Sequence, residues 1–301
     1  MKKFIVVEVG STNTKASYYE EGIINYLGFK TIEFKSNFKK EGKILDSDKQ
    51  LLFDYLKELK NTCNEIYVYG TSIFRDLSAK ERKDWLGEFK NITNLDFNIV
   101  SAKEENQYTT FGAFPNYSGS IAIMIAGGAS TELSIFNEGK LVEQKYYNFG
   151  VTNALSKFPD LSADTVTSDY NTMLNEMRKL IIKKPTHKAD ILVLAGGDFI
   201  YFFEEAHYPL LKNNFYGNEL EPYALDIETA TEHDKNFFYN TSLDELCIRT
   251  NNEGWWRGTR GMRLCVKALC EELNAKYIVP TRINMVYGIV KEIIENNEVR
   301  N

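Results

Sequence analysis

Apolar and polar positions follow one pattern in two separate places along this chain. In the later one, Ile121–Ala126 is apolar, Gly127–Thr131 is a polar turn opened by two glycines, Leu133–Phe136 is largely apolar, and Gly139 closes a further turn. In the earlier one, Val7–Gly22 runs through an apolar strand, the turn Gly10-Ser11-Thr12-Asn13, a second strand and Glu21-Gly22. Short apolar runs bounded by glycine and small polar residues predict β-hairpins. The bounding glycines, Gly10 with Gly22 and Gly127 with Gly139, are twelve residues apart in both.

Further pieces recur after each hairpin. Strand Ile66–Tyr69 runs into Gly70-Thr71-Ser72, and strand Ile191–Leu194 into Ala195-Gly196-Gly197. Phe97–Val100 leads into a helix holding Phe111-Gly112, and Tyr277–Val279 into one holding Tyr287-Gly288. Repetition at this scale predicts two α/β domains of like topology. They are placed at residues 1–115 and 116–282, with Pro115–Ser120 as linker and a helical stretch over 283–301 returning to the first. Each is expected to present its hairpin turn to a shared cleft.

Between these landmarks, Lys30–Lys43 holds five lysines and a glycine and reads as a loop or frayed edge. Asp46 or Ser47 is expected to cap a helix with Leu52, Tyr55, Leu56 and Leu59 on one face. Ser78 and Glu81 have the spacing of a capping box, as do Ser101 and Glu104. Segments 161–183 and 241–275 read mostly as helices.

Composition narrows the function classes. A length of 301 residues with 43% hydrophobic positions supplies two cores of ordinary size. The net charge of −6 argues against a general nucleic-acid binder, and no apolar run approaches the roughly 18 residues of a membrane span. The apolar run after Lys2-Lys3 is too short for a signal peptide and leads straight into the first repeat, so a cytoplasmic protein is expected. Cys63, Cys247, Cys265 and Cys270 show no CxxC pair, and His187, His207 and His233 are scattered. Zinc and Ser-His-Asp chemistry are therefore disfavoured, which leaves carboxylates, Arg/Lys and a hard metal bound through oxygen.

The turns are where such chemistry would sit. Adjacent glycines after a buried strand let backbone N–H groups approach an anion. Ser130 and Thr131 add hydroxyls, and Glu132 a carboxylate. Arg75, after a strand and a Gly-Thr-Ser turn, reads either as a phosphate clamp or as an ion-pair partner of Asp76 or Glu81. Glu104 reads either as a catalytic base at a strand end or as the capping residue of its own helix. Arg257, Arg260 and Arg263 read either as cleft lining or as partners of surface carboxylates.

Taken in order, EVGSTNTK, YGTSIFRD, SAKEENQYTTFGAF and GGASTEL resemble the motifs of the exopolyphosphatase/guanosine pentaphosphate phosphatase (Ppx/GppA) family. The resemblance runs from Ile5 to about Gly288, with LAGGD and YIVPTRINMVYG as weaker late motifs. It implies two duplicated RNase-H-like domains of the actin-like ATPase fold flanking a cleft, in the minimal two-domain form. It further implies that Gly10, Ser11, Thr12, Asn13 and Lys15, with Gly127, Gly128, Ala129, Ser130 and Thr131, bind phosphate. Arg75 would grip phosphate, Glu104 would deprotonate the attacking water, and Glu8 and Glu132 would hold Mg²⁺. Polyphosphate or guanosine pentaphosphate is the implied substrate, and a homodimer is compatible with the family.

The departures from that pattern are specific. Glu8 stands where the family's first hairpin begins with Asp, and Ile125 where the second does. Ala129 replaces a glycine, Thr152-Asn153 stand where an arginine is expected, and Asp198 follows the late glycine pair in place of Thr. Three readings follow. The first is a phosphohydrolase, resting on Arg75, Glu104, Glu132 and the two turns. The second is a feeble member that binds a phosphate-rich ligand and regulates something else, resting on Ile125 and Asp198. The third is a superfamily kinase or ATPase, which the turn GSTNTK suits but the packing-like run Phe199–Phe203 does not.

Overall fold

The computed structural model describes residues 2–113, 119–212 and 223–298. Most of the anticipated linker, Pro115–Ser118, lies outside the described residues. The chain divides into two compact units, Met1–Gly112 with Met285–Asn301, and Ala113–Asn284.

Unit 1 is built from β1 (Lys3–Val9), β2 (Asn13–Glu20), β3 (Ile23–Thr31), α1 (Phe34–Glu41), α2 (Asp46–Lys60), β4 (Ile66–Gly70), α3 (Ile73–Asp76), α4 (Ala79–Thr93), β5 (Phe97–Ile99), α5 (Ala102–Ala113) and the C-terminal helix Met285–Glu298. Its sheet has the order β3-β2-β1-β4-β5, antiparallel through β1 and parallel from β1 to β5. Side chains alternate across a strand, so β1 feeds two cores. Ile5, Val7 and Val9 face Leu52 and Leu56 of α2 and the rings of Phe74, Trp85 and Phe89. Phe4 and Val6 face Met285, Val286, Ile289, Val290 and Ile293 of the C-terminal helix.

That helix is seated tightly. A Cβ at Gly288 would lie 1.9 Å from the Tyr108 carbonyl oxygen, and one at Gly112 would lie 2.8 Å from the Gly288 nitrogen. The two glycines that the repeats single out are thus where α5 and the C-terminal helix touch backbone to backbone. Around the crossing, Tyr108 donates to Glu292 (2.8 Å), and Lys291 Nζ donates to the Phe111 carbonyl (2.9 Å).

Unit 2 contains β6 (Ser120–Ala126), β7 (Thr131–Asn137), β8 (Lys140–Tyr147), α6 (Val151–Lys157), α7 (Tyr170–Lys179), β9 (Ile191–Ala195), α8 (Phe199–Glu205), β10 (Leu211–Lys212), β11 (Tyr223–Asp226), α9 (Ile227–Tyr239), α10 (Leu243–Thr250), α11 (Glu253–Leu273) and β12 (Tyr277–Pro280). Read from β8, its sheet runs β8-β7-β6-β9-β12, the order of unit 1, with β11 and β10 added beyond β12. The duplicated topology is therefore present strand for strand. Both hairpins turn through a Glu-Gly pair at positive φ, Glu21-Gly22 (52° and 88°) and Glu138-Gly139 (48° and 74°), which is type I′ chemistry.

Several local expectations need correction. Lys30–Lys43 is not a loop: β3 continues to Thr31, and α1 follows because Phe34 is buried and Phe38, four residues on, packs on the same core. Gly42 at φ 69° ends it, and its lysines stay exposed. Helix α2 begins at Asp46 behind Leu45, with no side-chain cap. Both capping boxes form. Arg257 meets Asp244 at 2.6 Å, a surface partner, but Arg260 and Arg263 are fully buried. Arg263 Nε and Nη2 donate to buried Asp234 (2.7 and 3.0 Å), which also accepts from Tyr170 and Tyr208. Arg260 donates to the carbonyls of Ala163, Asp164, Phe237 and Thr241. All four cysteines are free and buried, and burial pushes the Cys265 and Cys270 thiols up to about 12.

Candidate active site

The C-terminal ends of parallel strands β1, β4 and β5 meet at one edge of the unit 1 sheet, the usual place for a site in such a sheet. There a pocket of ≈ 400 Å³ is lined by Glu8, Gly10, Ser11, Thr12, Asn13, Lys15, Thr71, Ser72, Arg75 and Glu105. Gly10 N–H donates to Asn13 O (3.1 Å), which closes the turn. Ser11 and Thr12 stand at its tip, their carbonyls accepting from Lys35 and Ile32 (2.9 and 2.8 Å). Among the described residues, the backbone N–H groups of Ser11 and Thr12 have no partner. They are open to an anion.

Two cations and two carboxylates complete the wall. Lys15 faces Glu8 across the β1–β2 register. Arg75 donates from Nε to the Val100 carbonyl (2.7 Å) and from Nη2 to Glu105. Its partner is thus neither Asp76 nor Glu81. Glu8 has its pKa raised, first by burial and then by Glu105, with Lys15 acting the other way. A carboxyl raised in the fold is stabilising in its protonated form, so its contribution is present at low pH and lost as pH climbs through the raised value. Glu8→Gln, which keeps the neutral shape, is expected to raise the thermal midpoint at pH 7–8. The gain should shrink to nothing below the ordinary glutamate value of about 4.3. Unfolding scans at stepped pH check the sign.

Glu104 is not among these residues. It accepts from Ser101 N–H at 2.8 Å, while its own N–H donates to Ser101 Oγ at 3.2 Å, so it closes the capping box, exposed. Those Ser101 contacts lower its pKa, which weakens it as a base. The carboxylate on the pocket wall belongs to the next residue, Glu105. Neighbours on a helix point about 100° apart, and sequence patterning alone gave no means of choosing between two adjacent glutamates.

The second hairpin repeats the first in unit 2. Gly127 N–H donates to Ser130 O (2.8 Å), and strand register pairs Ala126 with Thr131 as it pairs Val9 with Thr14. Gly128, Ala129 and Ser130 are exposed, whereas Thr131 is buried and donates to the Phe149 carbonyl (2.8 Å). Thr131 is therefore a hairpin fastener. Thr152, at the position of the missing arginine, donates both N–H and hydroxyl to the Gly128 carbonyl, each at 2.7 Å. On the shared register Glu8 corresponds to Ile125 and Lys15 to Glu132, which is half-buried on β7 opposite Ile125. Ile125 packs against Gly196: a Cβ there would lie 3.1 Å from Ile125 Cγ2. Asp198 caps α8 and meets Arg282 Nε at 3.2 Å, so its charge is matched.

A profile of the Ppx/GppA phosphatase family matches residues 39–199, more than half of the chain. The chain belongs to this family. No curated protein matches the sequence. Among solved structures, Ppx/GppA proteins of Aquifex aeolicus share the fold. One, a type II variant of the phosphatase, has a TM-score of 0.76 at 15% identity, over 96% of this chain and 98% of its own. A second gives 0.73 at 15% identity, with 98% of both chains covered. An exopolyphosphatase of Cytophaga hutchinsonii gives 0.67 at 15% identity, again over 98% of both. No helix among the described residues is long and apolar enough to cross a membrane.

The oxygen donors in the pocket of this Ppx/GppA member are of the kind that fits a hard cation such as magnesium. The pocket's acidic donors are oxygen only, and Glu8 is a carboxylate whose burial a nearby cation would relieve. Among the described residues no three acidic, His or Cys side chains cluster as a ready-made metal cage. Mg²⁺ commonly takes one or two carboxylates and completes its shell with water and substrate phosphate.

Proposed function

We propose that this chain is a phosphohydrolase that releases terminal phosphate from inorganic polyphosphate or from guanosine pentaphosphate. The observation that carries this reading is the unit 1 pocket. It joins partnerless backbone N–H groups, two cations and two acidic side chains within ≈ 400 Å³. The N–H groups of Ser11 and Thr12 receive the terminal phosphate, with Lys15 beside them. Arg75 clamps non-bridging oxygens with its planar fork, a geometry lysine cannot reproduce.

Glu105 takes a proton from water as the water oxygen bonds to the terminal phosphorus. The bridging P–O bond breaks in line, and its electron pair leaves with the shortened chain. Positioning and charge supply the catalysis, with no covalent intermediate. Glu8 would hold Mg²⁺, which when bound offsets charge on the phosphate oxygens. In unit 2, the turn Gly127–Ser130 offers a second anion-accepting surface, and Glu132 an acidic group next to it.

Phosphate release from long-chain polyphosphate and from guanosine pentaphosphate, with and without Mg²⁺, tests the reading. Arg75→Ala is expected to weaken substrate binding about 10- to 100-fold, the worth of hydrogen bonds to a charged group. The thermal midpoint should stay within a degree or two. Wild-type affinity at a matched midpoint would remove Arg75 from the site. Tight binding without release would favour a regulatory phosphate binder, the reading that Ile125 supports: its alkyl side chain occupies the place of Glu8 in the second copy.

A further inference from the structure

Ser72 has φ 52° and ψ −116°, a backbone region that glycine occupies freely and other L-residues avoid. It follows Thr71 in a tight turn closed by Phe74 N–H on the Thr71 carbonyl (3.3 Å). In unit 2 the matching turn carries its positive φ on Gly196 (88°), where it costs no side-chain clash. Asp198, the counterpart of Ser72 on the shared register, has an ordinary φ of −88°. The chain thus keeps a serine in a strained conformation only in the copy that holds the phosphate pocket. Strain of this kind persists where surrounding structure enforces it, and it collects at functional sites.

The Ser72 side chain shows what the strain secures. Its Oγ accepts from Ser11 Oγ at 2.5 Å, joining two turns separated by 61 residues. One is the tip of the first hairpin. The other leads, three residues on, to Arg75, whose N–H donates to the Ser72 carbonyl (3.0 Å). The Ser72 backbone N–H has no partner among the described residues, and the residue lines the pocket.

We infer that Ser72 is a positioning residue for phosphate: its strained backbone delivers a hydroxyl that fixes the spacing between the Ser11-Thr12 tip and Arg75. This rests on the phosphate reading proposed above. A merely structural serine at this φ gains from replacement by glycine, and a positioning serine loses function by the same change. Stability and affinity should therefore move in opposite directions.

The experiment measures tripolyphosphate affinity by calorimetry and the thermal midpoint for wild type, Ser72→Gly, Ser72→Ala, Ser11→Ala and the Ser11→Ala/Ser72→Ala pair. Ser72→Gly is expected to raise the midpoint by about 2–4 °C while weakening tripolyphosphate about tenfold. Ser72→Ala keeps the strained backbone but lacks the hydroxyl. It and Ser11→Ala should each weaken binding, and the double variant should lose no more than either, because one contact is removed by both. Wild-type affinity in Ser72→Gly, a joint fall of affinity and midpoint, or additive losses in the pair would each overturn the assignment. Absence of tripolyphosphate binding by the wild type would overturn it too, and with it the phosphate reading itself. Wild-type binding beside an indifferent variant defeats the positioning role alone.

Discussion

Glu105→Gln is expected to lower kcat for phosphate release by about 10²–10⁴, the usual worth of a positioned general base, with little change in KM. Glu104→Gln, one residue away, should stay within about threefold of wild type. The contrast follows from where the two carboxylates sit. Glu104 is committed to the Ser101 capping box, where glutamine serves as well, and its pKa is lowered by those same contacts. Glu105 lines the pocket beside Glu8 and is paired with Arg75. On the proposed reading, a phosphate that takes Arg75 for itself would release Glu105 from the ion pair seen here and leave it to serve as the base. Single-turnover measurements, which separate binding from chemistry, are the appropriate readout. Equal losses in the two variants would return the base to an open question. A loss confined to Glu104→Gln would place it on the exposed face of α5.

The largest effect on stability is expected from Gly288→Ala. The added methyl would begin 1.9 Å from a backbone oxygen and 2.6 Å from a backbone carbon of Tyr108, atoms that cannot rotate aside. Overpacking commonly costs 1–3 kcal/mol, and a clash between two helix backbones belongs at or beyond the upper end, about 3 kcal/mol or more. The C-terminal helix must move off α5. With that move go its contacts to Phe4 and Val6, the Tyr108–Glu292 hydrogen bond and the Lys291 contacts to the end of α5. Gly87→Ala is the matched control. Gly87 sits exposed in α4 with nothing within 4 Å of the new methyl. That change should stabilise by up to about 1 kcal/mol, through helix propensity alone. Urea unfolding of both variants gives opposite shifts of midpoint if the crossing is as tight as described.

Much of this fold was legible in the sequence because the duplication was. Two glycine-bounded hairpins in one register, two strands running into small-residue turns and two helices holding an aromatic-glycine pair mark matching positions in sheets of the same strand order. What the glycines do was not legible. Gly112 and Gly288 look like interior helix glycines, which propensity counts against, and only the crossing of two helices explains them. Lys30–Lys43 was misread for a related reason. Its five lysines suggest a solvated loop, while the two phenylalanines that make α1 are too few to register as a periodic face.

The site shows the same division. Type and spacing marked the first hairpin turn and left Arg75 open between clamp and ion-pair partner, the family resemblance implied the clamp, and the structure lines one pocket with both. Ser72 was not readable, because a dihedral angle leaves no mark in composition. Arg260 and Arg263 were misplaced because a charged residue is rarely buried. Their burial depends on Asp234 and on carbonyl groups far away in sequence, partners that no local window contains.

Unit 1 is also interrupted: its last helix is encoded after the whole of unit 2. A growing polypeptide makes the strand bearing Phe4 and Val6 before unit 2 and the helix that covers them after it. Unit 2 is continuous in sequence and has every strand of its sheet by Pro280. One face of the unit 1 sheet therefore stays bare while the other unit assembles, and the candidate site rests on a half-covered sheet until the helix from Met285 has been made. Translation order thus places completion of the sheet that carries the candidate site after that of unit 2, although its strands are made before it.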